Sequence, residues 1–196
     1  MRNGDHTMWA YSLHDAGVDS LQWGVVLGGT LLAAFVDART RRIPNALTFP
    51  LLLAALVHAG FVAGGAGLLD AALACLLLAT PYVVLFAVAG GGAGDAKLMG
   101  AVGAWLGLLD GTRVLVAVCV AGVLFALAWA IARRSLPAVL GRLGLLTRGL
   151  LHLPFRRVSP RAVAAAIPAE HEGLSMPYGP AIFAGCALAL GVSLPW

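Results

Sequence analysis

Leu68–Ala89 reads LLDAALACLLLATPYVVLFAVA, 22 residues with a single charge at Asp70. The hydrocarbon core of a bilayer is crossed by about 20 mostly apolar helical residues. Backbone polar groups inside lipid must be satisfied within the segment itself, which selects a helix. The stretch is therefore expected to be a transmembrane helix, with Pro81 placed to kink it. On either side of it, similar apolar runs occupy Leu21–Val36, Ala46–Ala63, Ala96–Leu109, Val114–Ala132 and Pro177–Leu194. The expected fold is all-α: a polytopic membrane helix bundle of about six transmembrane helices.

Composition excludes the other broad classes. Hydrophobic residues make up 60% of the 196 and charged residues 11%. Soluble domains carry roughly 25% charged residues, so this chain could not coat a soluble globule. A mean hydropathy of +0.90 points the same way. Cys75, Cys119 and Cys186 each lie inside an apolar run and none forms a CxxC pair, so they read as small buried hydrophobes. His6, His14, His58, His152 and His171 show no ligand spacing, and no metal site is expected.

Residues 1–20 are polar and mildly acidic and lack the basic start of a secretory signal, so the first apolar run is expected to be a retained span. Residues 21–196 form the membrane-embedded domain. With six alternating spans, eleven of the thirteen Lys and Arg residues fall on one side. They are Arg39, Arg41, Arg42, Lys97, Arg133, Arg134, Arg142, Arg148, Arg156, Arg157 and Arg161, against Arg2 and Arg113. Positive charge marks the cytoplasmic side, which places both termini outside. The basic pI of about 9.4 is thus a matter of orientation, and nucleic acid is not an expected partner.

The connection at about 133–176 joins spans five and six on the cytoplasmic side. Val139, Leu140, Leu143, Leu146 and Leu150 recur there at helical spacing. The segment reads either as a basic amphipathic helix lying on anionic lipid or as a solvated loop. Gly144 and Gly149 weaken the helix. In the fourth span, Gly100, Gly103 and Gly107 fall near one face and suggest close helix packing.

Asp37 and Asp95 carry most of the chemical interest. Asp37 ends the first span and Asp95 begins the fourth, so the expected topology brings both to the cytoplasmic boundary. Asp95 follows Gly90-Gly91-Gly92-Ala93-Gly94, a run that leaves room for close backbone approach. Each aspartate also has a plain structural reading: Asp95 as a helix N-cap and Asp37 as part of a turn before stop-transfer arginines. Two carboxylates sharing a site can hold one proton between them. The ionised member then takes a proton from water as it attacks a peptide carbonyl, and the protonated member supplies one to the leaving group. That chemistry needs no metal or cofactor.

The motifs resemble a known family. Asp37-Ala38-Arg39-Thr40-Arg41-Arg42-Ile43-Pro44-Asn45-Ala46-Leu47-Thr48 is similar to the first signature of the type IV prepilin peptidases. Gly92-Ala93-Gly94-Asp95-Ala96-Lys97-Leu98 resembles their GxGD signature, and Met176-Pro177-Tyr178-Gly179-Pro180-Ala181 their third stretch. The three occur in family order. The resemblance implies an inner-membrane aspartic endopeptidase, active on the cytoplasmic side, that removes the short basic leader of prepilins or pseudopilins. Carried over by position, Asp37 and Asp95 are the dyad. Gly92 and Gly94 shape the loop, Lys97, Pro44 and Asn45 belong to the signatures, and Pro177, Tyr178, Gly179 and Pro180 flank the site. The chain lacks the paired CxxC segment that longer members carry for N-methylation, so it resembles the short form of tight-adherence (Flp-type) pilus systems. Two other classes fit intramembrane acids: a small ion- or proton-coupled transporter, and a presenilin-like protease that cuts within a membrane helix.

Overall fold

In a computed structural model, the described residues are 5–89, 92–132 and 177–193, and all their regular structure is helical. Helix α1 spans Asp5–Thr40, α2 Asn45–Ala89, α3 Ala93–Ala132 and α4 Gly179–Ser193. Among the described residues, three segments are long and apolar enough to cross a membrane: Ser20–Thr40, Asn45–Ala87 and Ala93–Trp129. The shorter Gly179–Val192 is also apolar. Residues 133–176, with the expected interfacial segment, lie outside the described residues.

Helices α2 and α3 do not run straight. A continuous helix of 43 residues would measure about 64 Å, roughly twice the thickness of a bilayer core. Gly64 interrupts α2 at φ 61°, ψ −144°, and Gly107 interrupts α3 at φ 71°, ψ −174°. These conformations belong almost exclusively to glycine. Gly67 lies so close to Ala59 that an added methyl would overlap the Ala59 carbonyl oxygen. A straight helix would separate residues eight apart by about 12 Å. The same return occurs in α3, where a Cβ on Gly111 would stand 3.7 Å from the Gly103 Cα. Each helix is thus a hairpin folded on a single glycine, and the described chain has six helical segments. The expected kink at Pro81 is absent as a break, since the helix continues through Pro81 and the interruption falls at Gly64.

The segments pack through small residues. Gly103 abuts the Ala74 backbone, Gly100 meets Cys75 Sγ, and Gly185 lies on the Val118 backbone. Gly100 and Gly103 therefore serve the packing expected of them, while Gly107 makes the reversal. Helix α4 packs against both α1 and α3. Val26, Leu78, Leu98, Met99, Val102, Val114, Val118 and Ile182 are completely buried. The outward faces are instead studded with large apolar side chains, Phe61 at 88% exposed and Leu109 at 82% among them. Such a surface would be intolerable in water and suits lipid. Polar bonds between segments are few. Trp105 Nε1 donates to the Leu51 carbonyl at 2.9 Å, joining α3 to the first half of α2.

Candidate active site

Asp37 occupies the last turn of α1, buried at 5% exposed. Its Oδ2 accepts a hydrogen bond from the Gly179 N–H at 2.8 Å. Gly179 is the first residue of α4, where backbone N–H groups have no partner within the helix and attract a carboxylate. Position 179 must be small. An added Cβ would stand 3.0 Å from the Asp37 Cβ and 3.1 Å from the Ala34 Cα. Pro180 suits the first helical turn, whose N–H groups are unbonded in any case. After Asp37 the chain closes α1 with an Arg41 N–H to Asp37 carbonyl bond of 2.7 Å. Arg41 adopts the left-handed conformation, φ 54°, common just past a helix C-terminus. Helix α2 then begins at Asn45, immediately after Pro44.

Asp95 lies in the first turn of α3. It is not the cap itself: the Ala96 N–H bonds to the Gly92 carbonyl at 3.0 Å, so the helix starts from Gly92. Gly92 has φ 87°, and a Cβ there would approach Asp95 Oδ2 to 3.1 Å. Gly94 lets Ile43 of the α1–α2 turn press against the chain, since its Cβ would be 3.0 Å from the Ile43 Cβ. Lys97 Nζ donates to Asn45 Oδ1 at 2.8 Å and lies 5.5 Å from the Phe49 ring centroid. The first two signatures are thus fastened together by Ile43 on Gly94 and by Asn45 on Lys97.

These contacts gather the two aspartates at one end of the bundle, and Asp37 lies within electrostatic reach of Asp95. The third stretch joins both. Gly179 holds Asp37, and the adjacent Tyr178 is within electrostatic reach of Asp95. Tyr178 packs edge-on against Tyr82 with ring centroids 5.9 Å apart. Its hydroxyl fills the space left by Gly122, where any added methyl would overlap it. Pro177 is half-buried beside it. Every signature residue singled out in the sequence therefore lies in one neighbourhood. Tyr82 and Gly122 also belong to it, and sequence reasoning missed both. A tyrosine inside an apolar span was the one available signal, because its hydroxyl needs a partner.

A model of the type IV leader peptidase family matches residues 24–127. The chain belongs to that family. It is 36% identical over 107 residues to a prepilin leader peptidase/N-methyltransferase of Neisseria gonorrhoeae, across 47% of this chain. The match covers 37% of that relative, so the chain corresponds to little more than a third of it. No solved structure matches the chain. Asp37 and Asp95 both fall inside the family match, whereas Tyr178 and Gly179 lie beyond it.

A second polar cluster lies elsewhere. Gln22, His58, Asp70, Trp105 and Gly107 line a cleft of about 160 Å³. Gln22 precedes Asp37 by fifteen residues of α1, about 22 Å along a helix, so this cleft belongs to the opposite end of the bundle. Asp70 Oδ2 accepts the Leu108 N–H at 3.3 Å and caps the second half of α3 after the Gly107 reversal.

Proposed function

We propose that the protein is an aspartic endopeptidase that hydrolyses the bond between the short basic leader and the apolar helix of type IV, Flp-like prepilins or pseudopilins. The observation that carries this reading is the convergence of Asp37 and Asp95 from separate helices, with Asp37 buried and held by the Gly179 N–H. Family membership supplies the substrate class, and the gonococcal relative is named for the same cleavage.

In this reading one carboxylate of the pair is ionised and the other protonated, as close like charges require. The ionised member accepts a proton from water while the water oxygen attacks the scissile carbonyl carbon. The protonated member donates to the carbonyl oxygen. Collapse of the tetrahedral intermediate breaks the C–N bond, and the amine leaves with a proton from the dyad. Gly179 contributes orientation, keeping Asp37 turned toward the site. Gly92 keeps the approach to Asp95 Oδ2 clear of a side chain, and Gly94 admits the α1–α2 turn through Ile43.

Six helical segments would give six crossings of the plasma membrane, with the site and Arg39, Arg41, Arg42 and Lys97 at the cytoplasmic face and both termini outside. The pilin's apolar helix would remain in lipid while its leader reaches the dyad. The exposed apolar belt would contact lipid directly.

Co-expression with a short-leader Flp-type prepilin tests the reading. The new N-terminus is read by mass spectrometry, with Asp37→Asn and Asp95→Asn as controls. Cleavage at the leader junction, lost in both variants while each still inserts, is the expected result. Full cleavage by either variant would remove the dyad assignment. The same spectrum reports whether the new terminus is methylated.

A further inference from the structure

The second half of α3 and helix α4 run antiparallel. Tyr178 meets Gly122, and Gly185 lies on the Val118 backbone with no room for a methyl. Past that contact the two helices part, and a groove of about 770 Å³ opens between them. Leu109, Arg113, Val116, Leu188 and Val192 line it. Its size falls within the roughly 300–1,000 Å³ of sites that take a whole organic molecule. The groove lies away from Asp37. Gly179, which touches Asp37, starts α4, and Leu188 and Val192 follow it by about 14 and 20 Å of helix. Leu109 stands at the same far end, two residues past the Gly107 reversal.

Arg113 is the charged residue of this otherwise apolar trench. Thr112 also lines it, but its hydroxyl donates to the Leu108 carbonyl at 2.6 Å and is spent within its own helix. Arg113 Nη1 donates to Asp110 Oδ1, which commits one of the five guanidinium N–H donors. The Arg113 side chain is 64% exposed and that of Asp110 33%, so both can be reached. A guanidinium fork suits phosphate oxygens, and the second oxygen of Asp110 suits an ammonium. An apolar trench bordered by a cation with an anion beside it therefore has the charge pattern of a zwitterionic amphiphile. An apolar helix of a protein partner would fill the walls but offer Arg113 no anion.

We propose that this groove is a binding site for a zwitterionic phospholipid of the leaflet opposite Asp37 and Asp95. An acyl chain lies between Val116 and Leu188 and ends at the Gly185–Val118 contact. The phosphate sits on Arg113 and the headgroup ammonium on Asp110. An anionic headgroup without an ammonium would leave Asp110 facing it unmatched. The bound lipid fills the gap beside α4, the helix that holds Asp37 through Gly179. The proposal does not depend on the peptidase reading.

Native mass spectrometry of the delipidated protein tests it, after incubation with phosphatidylethanolamine or phosphatidylglycerol of matched chains. Wild type should retain one phosphatidylethanolamine, with about tenfold higher affinity than phosphatidylglycerol, the worth of one charge-assisted hydrogen bond. Arg113→Gln should lose retention of both lipids. Asp110→Asn should retain both and lose the preference. Ala117→Phe, which fills the groove and leaves both charges in place, should release either lipid. Equal retention of the two lipids by wild type, or retention unchanged in Arg113→Gln and Ala117→Phe, would overturn the inference. A photo-crosslinking side chain in place of Val116 identifies the occupant in cells. Adducts to phospholipid are expected, whereas adducts to a second copy of the chain or to a co-expressed prepilin would overturn it.

Discussion

Gly179→Ala should disable the site by a displacement that can be worked from distances. The new Cβ would stand 3.0 Å from the Asp37 Cβ, 3.1 Å from the Ala34 Cα and 3.1 Å from Asp37 Oδ2. Carbon atoms at rest lie about 3.5–4.0 Å apart, so α4 and α1 must separate by roughly 0.5–1 Å. The Gly179 N–H to Oδ2 distance of 2.8 Å then opens to about 3.3–3.8 Å, at or beyond the limit of a hydrogen bond. Asp37 loses its fixed orientation, although neither carboxylate has been altered. Misplacement of a reacting group by about 1 Å can cost about 10²-fold in rate, and overpacking typically costs 1–3 kcal/mol of stability.

Gly191→Ala is the matched control. It lies on the same helix, and nothing stands within 4 Å of its added Cβ. Replacing an open helical glycine by alanine should be neutral or stabilising by up to about 1 kcal/mol. The assay is single-turnover cleavage of a prepilin substrate by both variants, together with thermal melting in lipid nanodiscs. Wild-type turnover by Gly179→Ala would refute the role of the Gly179 contact in placing Asp37. Equal losses in Gly179→Ala and Gly191→Ala would show that α4 merely needs glycine for flexibility.

Lys97→Met and Asn45→Ala should each slow cleavage, and a double-mutant cycle should return a coupling of about 0.5–1.5 kcal/mol, the worth of one intramolecular hydrogen bond; additive effects would show that the two signatures are not fastened by this pair. Gly103→Ala should lower the melting temperature by driving a methyl into the Ala74 backbone, at about 1–3 kcal/mol for an overpacked contact. Asp70→Asn should weaken the cap on Leu108 by about 0.5–2 kcal/mol, visible in melting, while cleavage at the far end of the bundle proceeds at the wild-type rate.

The helical fold was legible because lipid leaves the backbone few choices, and the apolar runs between Leu21 and Ala132 coincide with five helical segments. The first reversal is legible as the gap between the runs ending at Ala63 and beginning at Leu68, whereas Gly107 falls inside the run expected for the fourth span. The chain has 25 glycines, and nothing local to Gly107 separates a hinge from a packing contact such as Gly103. Only the tertiary path, which returns residue 111 to residue 103, makes that distinction. Pro81 does not interrupt the helix, since a proline in a membrane helix can remain in a continuous segment when neighbours accommodate it. The convergence of the signatures could be expected from charge and resemblance. The bond from Gly179 to Asp37 could not, because the two are 142 positions apart and its donor is a backbone amide with no side chain to advertise it.

If Asp37 and Asp95 act as the proposed dyad, they must be held to within about half an ångström by an apolar helical scaffold in which polar networks are scarce. This bundle meets the requirement with close backbone contact. Asp37 is set by α4 through Gly179, and the start of α3 is set by the α1–α2 turn through Gly94. The third constraint, Lys97 on Asn45, is exposed and can hydrate. Two of the three constraints thus depend on the absence of a side chain. Losing a surface hydrogen bond is softened by water, but a methyl added in a close-packed contact has nowhere to go. Substitutions at Gly94 and Gly179 should therefore be more damaging to cleavage than loss of the Lys97 amine. That ranking runs opposite to one based on the chemical reactivity of the side chains, and comparing Gly94→Ala with Lys97→Met in the same cleavage assay decides between the two.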